Sequence, residues 1–273
     1  MKNTHQKTKI LISFLLLSFL FIANATAKKE VIFESKPKDA SAIPASQLTP
    51  LLDQETLVYK AKFLGIKIGQ FTFRNNGKTL LNNKEVYSFE LNVKTLPFFL
   101  RSFKAKARYI SYMDAQDFVV VRHEEYIKGG TVLESAVDFN YETNIATHTN
   151  FISSQTKTTP IPDKIFDVLS GGYYLRMIPM EVGDTIEMKI YADEKIYDYV
   201  GSLGEKTTVN LPSHRDQEAY FFKPYLFLDG VPFKKISGDV LFSAEPLRKT
   251  LRASLKSRFG TVHVILDQKN SKP

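Results

Sequence analysis

Apolar and polar residues alternate along most of this chain, which is the pattern of β-strands that bury one face. Between residues 55 and 93 the alternation slips by one position at Gly69–Gln70, which predicts a β-bulge, and Asn76–Gly77 predicts a hairpin turn. The same pattern predicts further strands, at residues 105–113, 118–126, 131–141, 145–152, 185–192, 195–200, 207–211, 219–228, 238–243, 247–255 and 261–266.

One stretch, residues 162–179, instead has apolar residues at helical spacing. Asp163 is the expected N-cap of this helix, and Pro179 is expected to end it. Arg176 falls within the apolar face, where a charged group must be paired, must reach the last carbonyls of its own helix or must face a cavity.

Two features of this helix leave alternatives open. The pair Gly171–Gly172 weakens a helix, so either the sheet or a ligand is expected to approach its backbone closely. Capping of the helix end is the simplest role for Arg176, since cations are favoured in the last turn. A buried pair with Glu245 or Asp239, or contact with a ligand, are the alternatives.

These elements predict a mainly β fold. No strands alternate with helices as they do in a parallel sheet, so we expect antiparallel strands in a closed or half-open, barrel-like sheet. The central helix is expected to pack on this sheet or to plug it. Two sheet halves flanking the helix remain possible on the pattern alone.

The first residues have the features of a secretory signal peptide. A basic start precedes an apolar run at residues 10–22, and Ala27 ends a small-x-small cleavage motif, so residues 1–27 are the expected signal. The apolar run is shorter than the roughly 20 residues that span a membrane. An uncleaved amphipathic anchor is the alternative reading. The polar residues 28–52 are expected to form a flexible leader, residues 53–267 one β-rich domain, and residues 268–273 a disordered tail.

Composition excludes several kinds of function. The chain has no cysteine, so it has neither a disulfide framework nor a lipid-attachment cysteine. The net charge of +8 is too diffuse for a nucleic-acid binder, although it suits an anionic envelope surface. No spacing of histidines or acids is typical of a metal site, and no nucleophile motif occurs, so we expect no metal, no cofactor and no catalytic residue that sequence alone can name.

Basic residues recur at even spacing in two places. One run is Arg101, Lys104, Lys106 and Arg108, of which the last three alternate, and the other is Arg248, Arg252, Lys256 and Arg258. Such stripes on one strand face could bind lipid phosphates or acidic glycans, although a solvated outer face that keeps strand edges from aggregating is the simpler explanation. Tyrosines lining a β cavity could hold an apolar or sugar ligand, but ordinary core packing also accounts for them.

Five motifs follow one another along the chain: Leu57-x-Tyr59-x-x-x-Phe63-x-Gly65-Ile66-x-x-Gly69, Phe166-Asp167-x-x-Ser170-x-x-Tyr173-Tyr174-Leu175-Arg176, Gly183-Asp184, Gly238-x-x-x-Phe242-Ser243-x-Glu245-x-x-Arg248 and Phe259-Gly260. Together they resemble the DUF3108 family of exported bacterial proteins over roughly residues 53–267. The resemblance implies a β-rich periplasmic protein and supplies no catalytic residues. Phe242 and Thr250 depart from it, since tryptophan and proline are common at these places.

We therefore expect a non-enzymatic protein in the periplasm of a Gram-negative bacterium, which binds a lipid or glycan of the envelope or assists envelope assembly. A hydrolase of glycans or lipids, using carboxylates that the fold brings together, is the first alternative, and a scaffold for an envelope protein partner is the second. We expect neither nucleic acid as a partner nor a transmembrane span in the mature form. The candidate ligand-binding residues are Asp167, Tyr173, Arg176 and Arg248.

Overall fold

The computed structural model describes residues 36–96, 106–129, 132–212, 215–232, 237–257 and 260–272. The expected signal peptide with cleavage after Ala27, and the beginning of the expected leader, lie outside these residues.

Strands make up most of the described chain. They are β1 (Lys38–Asp39), β2 (Glu55–Phe63), β3 (Ile66–Leu81), β4 (Lys84–Thr95), β5 (Lys106–Asp114), β6 (Val120–Lys128), β7 (Val132–Asn140), β8 (Ile145–Asn150), β9 (Gln155–Pro160), β10 (Phe166–Asp167), β11 (Thr185–Ala192), β12 (Lys195–Val209), β13 (Gln217–Leu228), β14 (Val231–Pro232), β15 (Ser237–Ser243), β16 (Thr250–Ser257) and β17 (Gly260–Leu266). The helix α1 spans Val168–Met177, and short 3₁₀ turns occupy Ala40–Ala42, Ala45–Gln47 and Gln268–Asn270.

All these strands belong to one sheet, which runs from β10 through β11 to β17, continues through β2 and ends at β9. The first and last long strands meet in its middle, where β17 pairs antiparallel with β2. Only β1 and β10, which both lie against β11, are parallel to their neighbour among the described strands. The prediction of a mainly β fold of antiparallel strands is therefore confirmed.

The sheet is strongly curved but not closed by hydrogen bonds, since β9 forms one edge and β10 lies at the other. Side chains connect the two ends. Lys157 of β9 lies 2.9 Å from Glu194, in the turn between β11 and β12. Ile161 and Ile165, in the connection from β9 to β10, join an apolar cluster with Tyr191 of β11. The sheet is thus half-open rather than a closed barrel.

Helix α1 lies inside the curve of the sheet. Every residue from Leu169 to Met177 is buried, and the helix contacts β4 and β5 on one side and β11 on the other. The ring of Phe89 stacks on that of Tyr173 with 4.0 Å between centroids. The helix therefore plugs the sheet, and its aromatic residues form the centre of the core.

The turn predicted at Asn76–Gly77 is wrong. The strand continues past these residues, where β3 makes a bulge against β4, and the chain turns back only at Asn82–Asn83. Both asparagines have positive φ, as a tight hairpin turn requires. The other predicted bulge is present, although one residue earlier, at Ile68.

The segments at the two ends of the domain are ordered against the sheet. Residues 36–52, which we expected as part of a flexible leader, place Ala40 and Leu48 in the core and pair β1 with β11. In the expected disordered tail, Lys272 pairs with Thr56 of β2. A few well-placed apolar and backbone contacts thus hold segments whose sequence has no periodic pattern.

Candidate functional site

The amino end of α1 is capped by Asp167 and not, as predicted, by Asp163. The Asp167 carboxylate accepts a hydrogen bond from the backbone N–H of Ser170 at 2.7 Å, and the Ser170 side chain bonds back to the Asp167 backbone. The prediction of Asp163 failed because Phe166 and Asp167 form β10, which pairs with β11. The helix can begin only after that pairing ends.

Asp167 also binds a histidine of the sheet. His123 of β6 lies with Nδ1 2.8 Å from the Asp167 carboxylate, and its Nε2 lies 3.3 Å from Glu125. Burial opposes a charged imidazole, but the two carboxylates outweigh burial and raise the pKa of His123 to about 10. Burial likewise opposes ionisation of Asp167, yet His123 lowers the pKa of that carboxyl below its ordinary value. This ion pair ties the start of the helix to β6.

The carboxyl end of α1 is held by a buried ion pair. Arg176 donates two hydrogen bonds to the Glu55 carboxylate, at 2.6 and 2.8 Å, and a third to the backbone carbonyl of Arg248 at 2.6 Å. The planar guanidinium matches a carboxylate in this bidentate geometry. Arg176 is thus paired, as one of the alternatives expected, but with Glu55 of β2 rather than with Glu245 or Asp239.

Arg248 takes the role that we expected of Arg176. Its guanidinium donates to the carbonyls of Ile178 and Met180, at 2.7 and 2.8 Å, just beyond the last turn of the helix. Ile178 is the C-cap residue of the helix, and a cation near this end is favoured by the helix dipole. Arg248 therefore fixes the exit of the chain from the helix.

Tyr173 is the fourth of the residues predicted to bind a ligand. Its ring lies 5.2 Å from the Arg176 guanidinium, and its hydroxyl is buried without a hydrogen-bond partner among the described residues. A cavity of about 30 Å³ lies beside it, bordered by Tyr59, Phe242 and Thr250. A space of this size holds about two water molecules. Tyr173, Arg176 and Arg248 thus cluster at one end of the helix and Asp167 lies at the other, and all four anchor the helix.

The two acids at His123, buried Asp167 and half-buried Glu125, differ from the carboxylate pair expected of a hydrolase. Asp167 and Glu125 both bind His123, and the pKa of Asp167 is lowered, whereas a general acid needs a raised one. Within the described ranges no group of three or more histidines and acids could hold a metal ion. Asp167 therefore serves to hold the start of the helix against His123.

A second site lies on the outer face of the sheet. Lys94 of β4, Lys106 of β5 and Lys128 of β6 stand directly opposite one another across the three strands. Each is exposed, and the described residues include no acid paired with any of them. We call these three residues the lysine row. Since like charges directly opposite destabilise a sheet, the row costs stability in the free protein.

The lysine row borders a groove of about 330 Å³ at the end of β4 to β7. The next row of the sheet lines the same groove with Asn92, Arg108, Tyr126 and Glu134. Arg108 is already engaged, since it donates to Glu90 at 2.6 and 2.9 Å. The positive potential of the groove therefore comes mainly from the three lysines, with Glu134 as the acid on its far side.

The basic stripes predicted from sequence are only partly brought together. Lys106 and Arg108 line the groove, whereas Lys104 lies outside the described residues. In the other stripe, Arg248 binds carbonyls at the helix end and does not share a strand face with Arg252. Sequence reasoning missed Lys94 and Lys128, because only the register of β4 to β6 places them beside Lys106.

This architecture defines a mainly β protein in which a half-open sheet encloses one helix. The chain belongs to the DUF3108 family, described as proteins of unknown function, whose family model matches residues 58–267. The comparison with curated proteins gave no match. Among the described residues, no helix is long and apolar enough to cross a membrane.

Two solved structures are similar in outline. One is a β-barrel-like protein of the DUF1849 domain from Brucella abortus, with 8% identity and a TM-score of 0.49, covering 80% of this chain and 97% of its own. The other is a protein with a YmcC-like fold from Bacteroides fragilis, with 10% identity and a TM-score of 0.35, covering 83% of this chain and 99% of its own.

Proposed function

We propose that this protein is a non-enzymatic component of the bacterial envelope, which binds an anionic envelope molecule in the groove beside the lysine row. The observation that carries the proposal is the alignment of Lys94, Lys106 and Lys128 without paired acids. Their mutual repulsion is relieved when an anion binds between them. The predicted signal peptide supports a periplasmic location, where such a ligand would be available.

The chemistry of the groove supports anionic oxygens as the recognised group. Each lysine ammonium offers three hydrogen-bond donors and a compact charge, which suits phosphate or carboxylate. Tyr126 and Asn92 add polar contacts at the side of the groove. Lipid headgroups and acidic glycans both carry such oxygens, so both remain sources of the ligand under this proposal.

Binding of two soluble probes tests the proposal by calorimetry. The probes are monomeric short-chain phosphatidylglycerol, which represents a lipid headgroup, and an oligogalacturonate, which represents an acidic glycan. The triple variant Lys94→Gln, Lys106→Gln, Lys128→Gln should weaken binding of the recognised probe about tenfold, since each exposed ion pair contributes about 0.5 kcal/mol. Added salt should weaken binding by the wild-type protein in the same direction.

A matched control removes the same charge elsewhere. Lys78, Lys189 and Lys206 are also exposed, but each is paired with an acid, so the triple variant of these lysines to Gln should bind as the wild-type protein does. The proposal is wrong if neither probe binds, or if both triple variants weaken binding equally.

A further inference from the structure

Exposed apolar side chains are concentrated at one end of the sheet. Seven of the eleven large apolar residues exposed in the described chain lie at the rim formed by the ends of β2, β4, β6, β8 and β13: Leu64, Ile66, Leu96, Val132, Phe151, Ile152 and Val231. We call this end the apolar rim. Three of the others, Leu52, Leu80 and Val182, lie at the opposite end.

Backbone pairing places much of the apolar rim on neighbouring strands. Leu96 donates its N–H to the carbonyl of Ile68, beside the turn that carries Leu64, and Phe151 donates to the carbonyl of Glu134, next to the start of β7. Leu64 is 75% exposed and Phe151 50% exposed. Single exposed apolar residues are ordinary, but several of them gathered at one end of a sheet favour an interaction surface.

The apolar rim adjoins the lysine row. Val132, which is 57% exposed, stands directly opposite Lys128. A residue of the apolar rim and a residue of the lysine row are therefore cross-strand neighbours. Among the described residues, fewer exposed large apolar side chains lie at the opposite end of the sheet. Its hairpin turns there are polar, with Asn82–Asn83 between β3 and β4 and Glu142–Asn144 between β7 and β8.

We infer that the apolar rim docks on the surface of an anionic lipid bilayer. Leu64, Val132 and Phe151 insert between the headgroups, while the lysine row contacts lipid phosphates a few ångströms farther out. Apolar side chains flanked by lysines are the combination that binds proteins peripherally to anionic membranes. This inference rests on the proposed function, and it selects lipid over glycan as the source of the anion.

Partition between buffer and vesicles tests the docking. The protein, purified after export with its own leader, should bind vesicles of phosphatidylglycerol and phosphatidylethanolamine, and bind pure phosphatidylcholine vesicles much more weakly. The rim variant Leu64→Ser, Phe151→Ser, Ile152→Ser, which leaves the groove lining intact, should lower the partition at least about tenfold, because apolar burial supplies much of the binding of such surfaces. Its binding of soluble short-chain phosphatidylglycerol should stay unchanged.

The opposite end of the sheet supplies the matched control. The variant Leu52→Ser, Leu80→Ser, Val182→Ser removes three exposed apolar side chains from that end and should bind vesicles as the wild-type protein does. Because the chain has no cysteine, Val132→Cys and Leu80→Cys each provide a single site for an environment-sensitive fluorophore. Only the label at position 132 should shift to the blue when vesicles are added.

The outcomes separate this inference from the proposed function. If soluble phosphatidylglycerol or oligogalacturonate binds through the lysine row but no vesicle does, the docking inference is wrong and the proposed function stands. Equal fluorescence shifts at both positions, or equal loss of vesicle binding in both serine variants, would also overturn the docking.

If capture on vesicles requires another protein, the rim is a protein interface and the docking inference fails. If the lysine variant changes no binding at all, both proposals fall.

Discussion

Arg176 and Glu55 are both buried and meet from parts of the chain that lie far apart in sequence. Removing two charges from water is costly, and their mutual attraction compensates for that cost only when the hydrogen bonds are well formed. Here the guanidinium binds both carboxylate oxygens and a backbone carbonyl. The pair therefore specifies where the helix lies against β2 more than it adds stability.

We predict that Arg176→Met destabilises the protein strongly, by about 3–5 kcal/mol, because the Glu55 carboxylate remains buried without a partner. The double variant Glu55→Leu, Arg176→Met should recover most of that loss, to within about 1–2 kcal/mol of the wild-type protein. Urea unfolding of both variants measures the free energies. A double variant that is as unstable as the single one would show that the pair itself supplies the stability.

At the scale of single residues, the sequence predicts that Arg176 needs a paired group, but it does not identify Glu55 as that group. The helical pattern shows that Arg176 lies on an apolar face and must be paired. Glu55 is 121 residues away along the chain, and nothing in the local pattern connects the two. The partners of Asp167 and Arg248 were unpredictable for the same reason, because register and curvature decide which side chains meet inside the sheet.

At the scale of elements, Gly77 shows why a strong turn signal failed. It has φ of +79°, as the Asn-Gly signal requires, but the residue lies in a bulge of β3 and not in a turn. A Cβ atom at this position would lie 2.4 Å from the backbone carbonyl oxygen of Asp53. The glycine is therefore needed for a close approach of the segment before β2 as well as for its backbone conformation.

We predict that Gly77→Ala destabilises the protein by about 3 kcal/mol, from the strain of positive φ together with the clash against a backbone atom. Gly65 is the matched control, because its φ is +80° but nothing lies within 4 Å of its Cβ position. Gly65→Ala should therefore cost only about 1 kcal/mol. Thermal unfolding compares the two, and equal losses would show that the contact with Asp53 is unimportant.

Element boundaries follow the alternation closely where one face of a strand is buried. Strand β11 begins and ends where it was predicted, at Thr185 and Ala192. Strand β9 was missed, because its residues Gln155–Pro160 are exposed on both faces and have no apolar pattern. The predicted strands 195–200 and 207–211 are one long strand, β12, which a register shift between Leu203 and Lys206 interrupts without ending it.

At the scale of the whole molecule, the sheet wraps around the helix, but its two edge strands, β9 and β10, do not pair with each other. Other contacts must therefore hold the sheet around the helix. His123 helps to hold this arrangement, because it connects β6 to the start of the helix through Asp167. The imidazole is flanked by Asp167 and Glu125, and the ring of Tyr109 lies 6.2 Å away. The protonation state of His123 therefore affects how tightly the sheet binds the helix.

The pH dependence of stability follows from the raised pKa of His123. The histidine has an ordinary pKa of 6.5 in the unfolded chain and about 10 in the folded protein, so the folded state binds more protons between these values. The stabilisation is complete below about pH 6.5 and is lost as the pH rises towards 10. The free energy of unfolding should therefore fall between about pH 7 and 9, and the His123→Gln variant should have a flatter profile. Parallel profiles for the two proteins would contradict this assignment.

The alternation of apolar residues was sufficient to predict a mainly β molecule with one central helix. It could not predict that the sheet stays open, since closure depends on whether β9 and β10 lie close enough to pair, which no local pattern specifies. The lysine row and the apolar rim also depend on register, because their members come from turns and strand ends that are distant in sequence.

The pairing of β17 with β2 has a consequence for how the chain folds. Strand order in the sheet equals strand order in the sequence from β10 to β17 and again from β2 to β9, so each half can assemble from hairpins. The two halves, however, can pair only after the last long strand, β17, has been synthesised. Until β17 arrives, β2 presents an unpaired edge to other chains, and such edges are sites of aggregation. This topology therefore requires that the edge of β2 be protected from other chains until β17 has been synthesised.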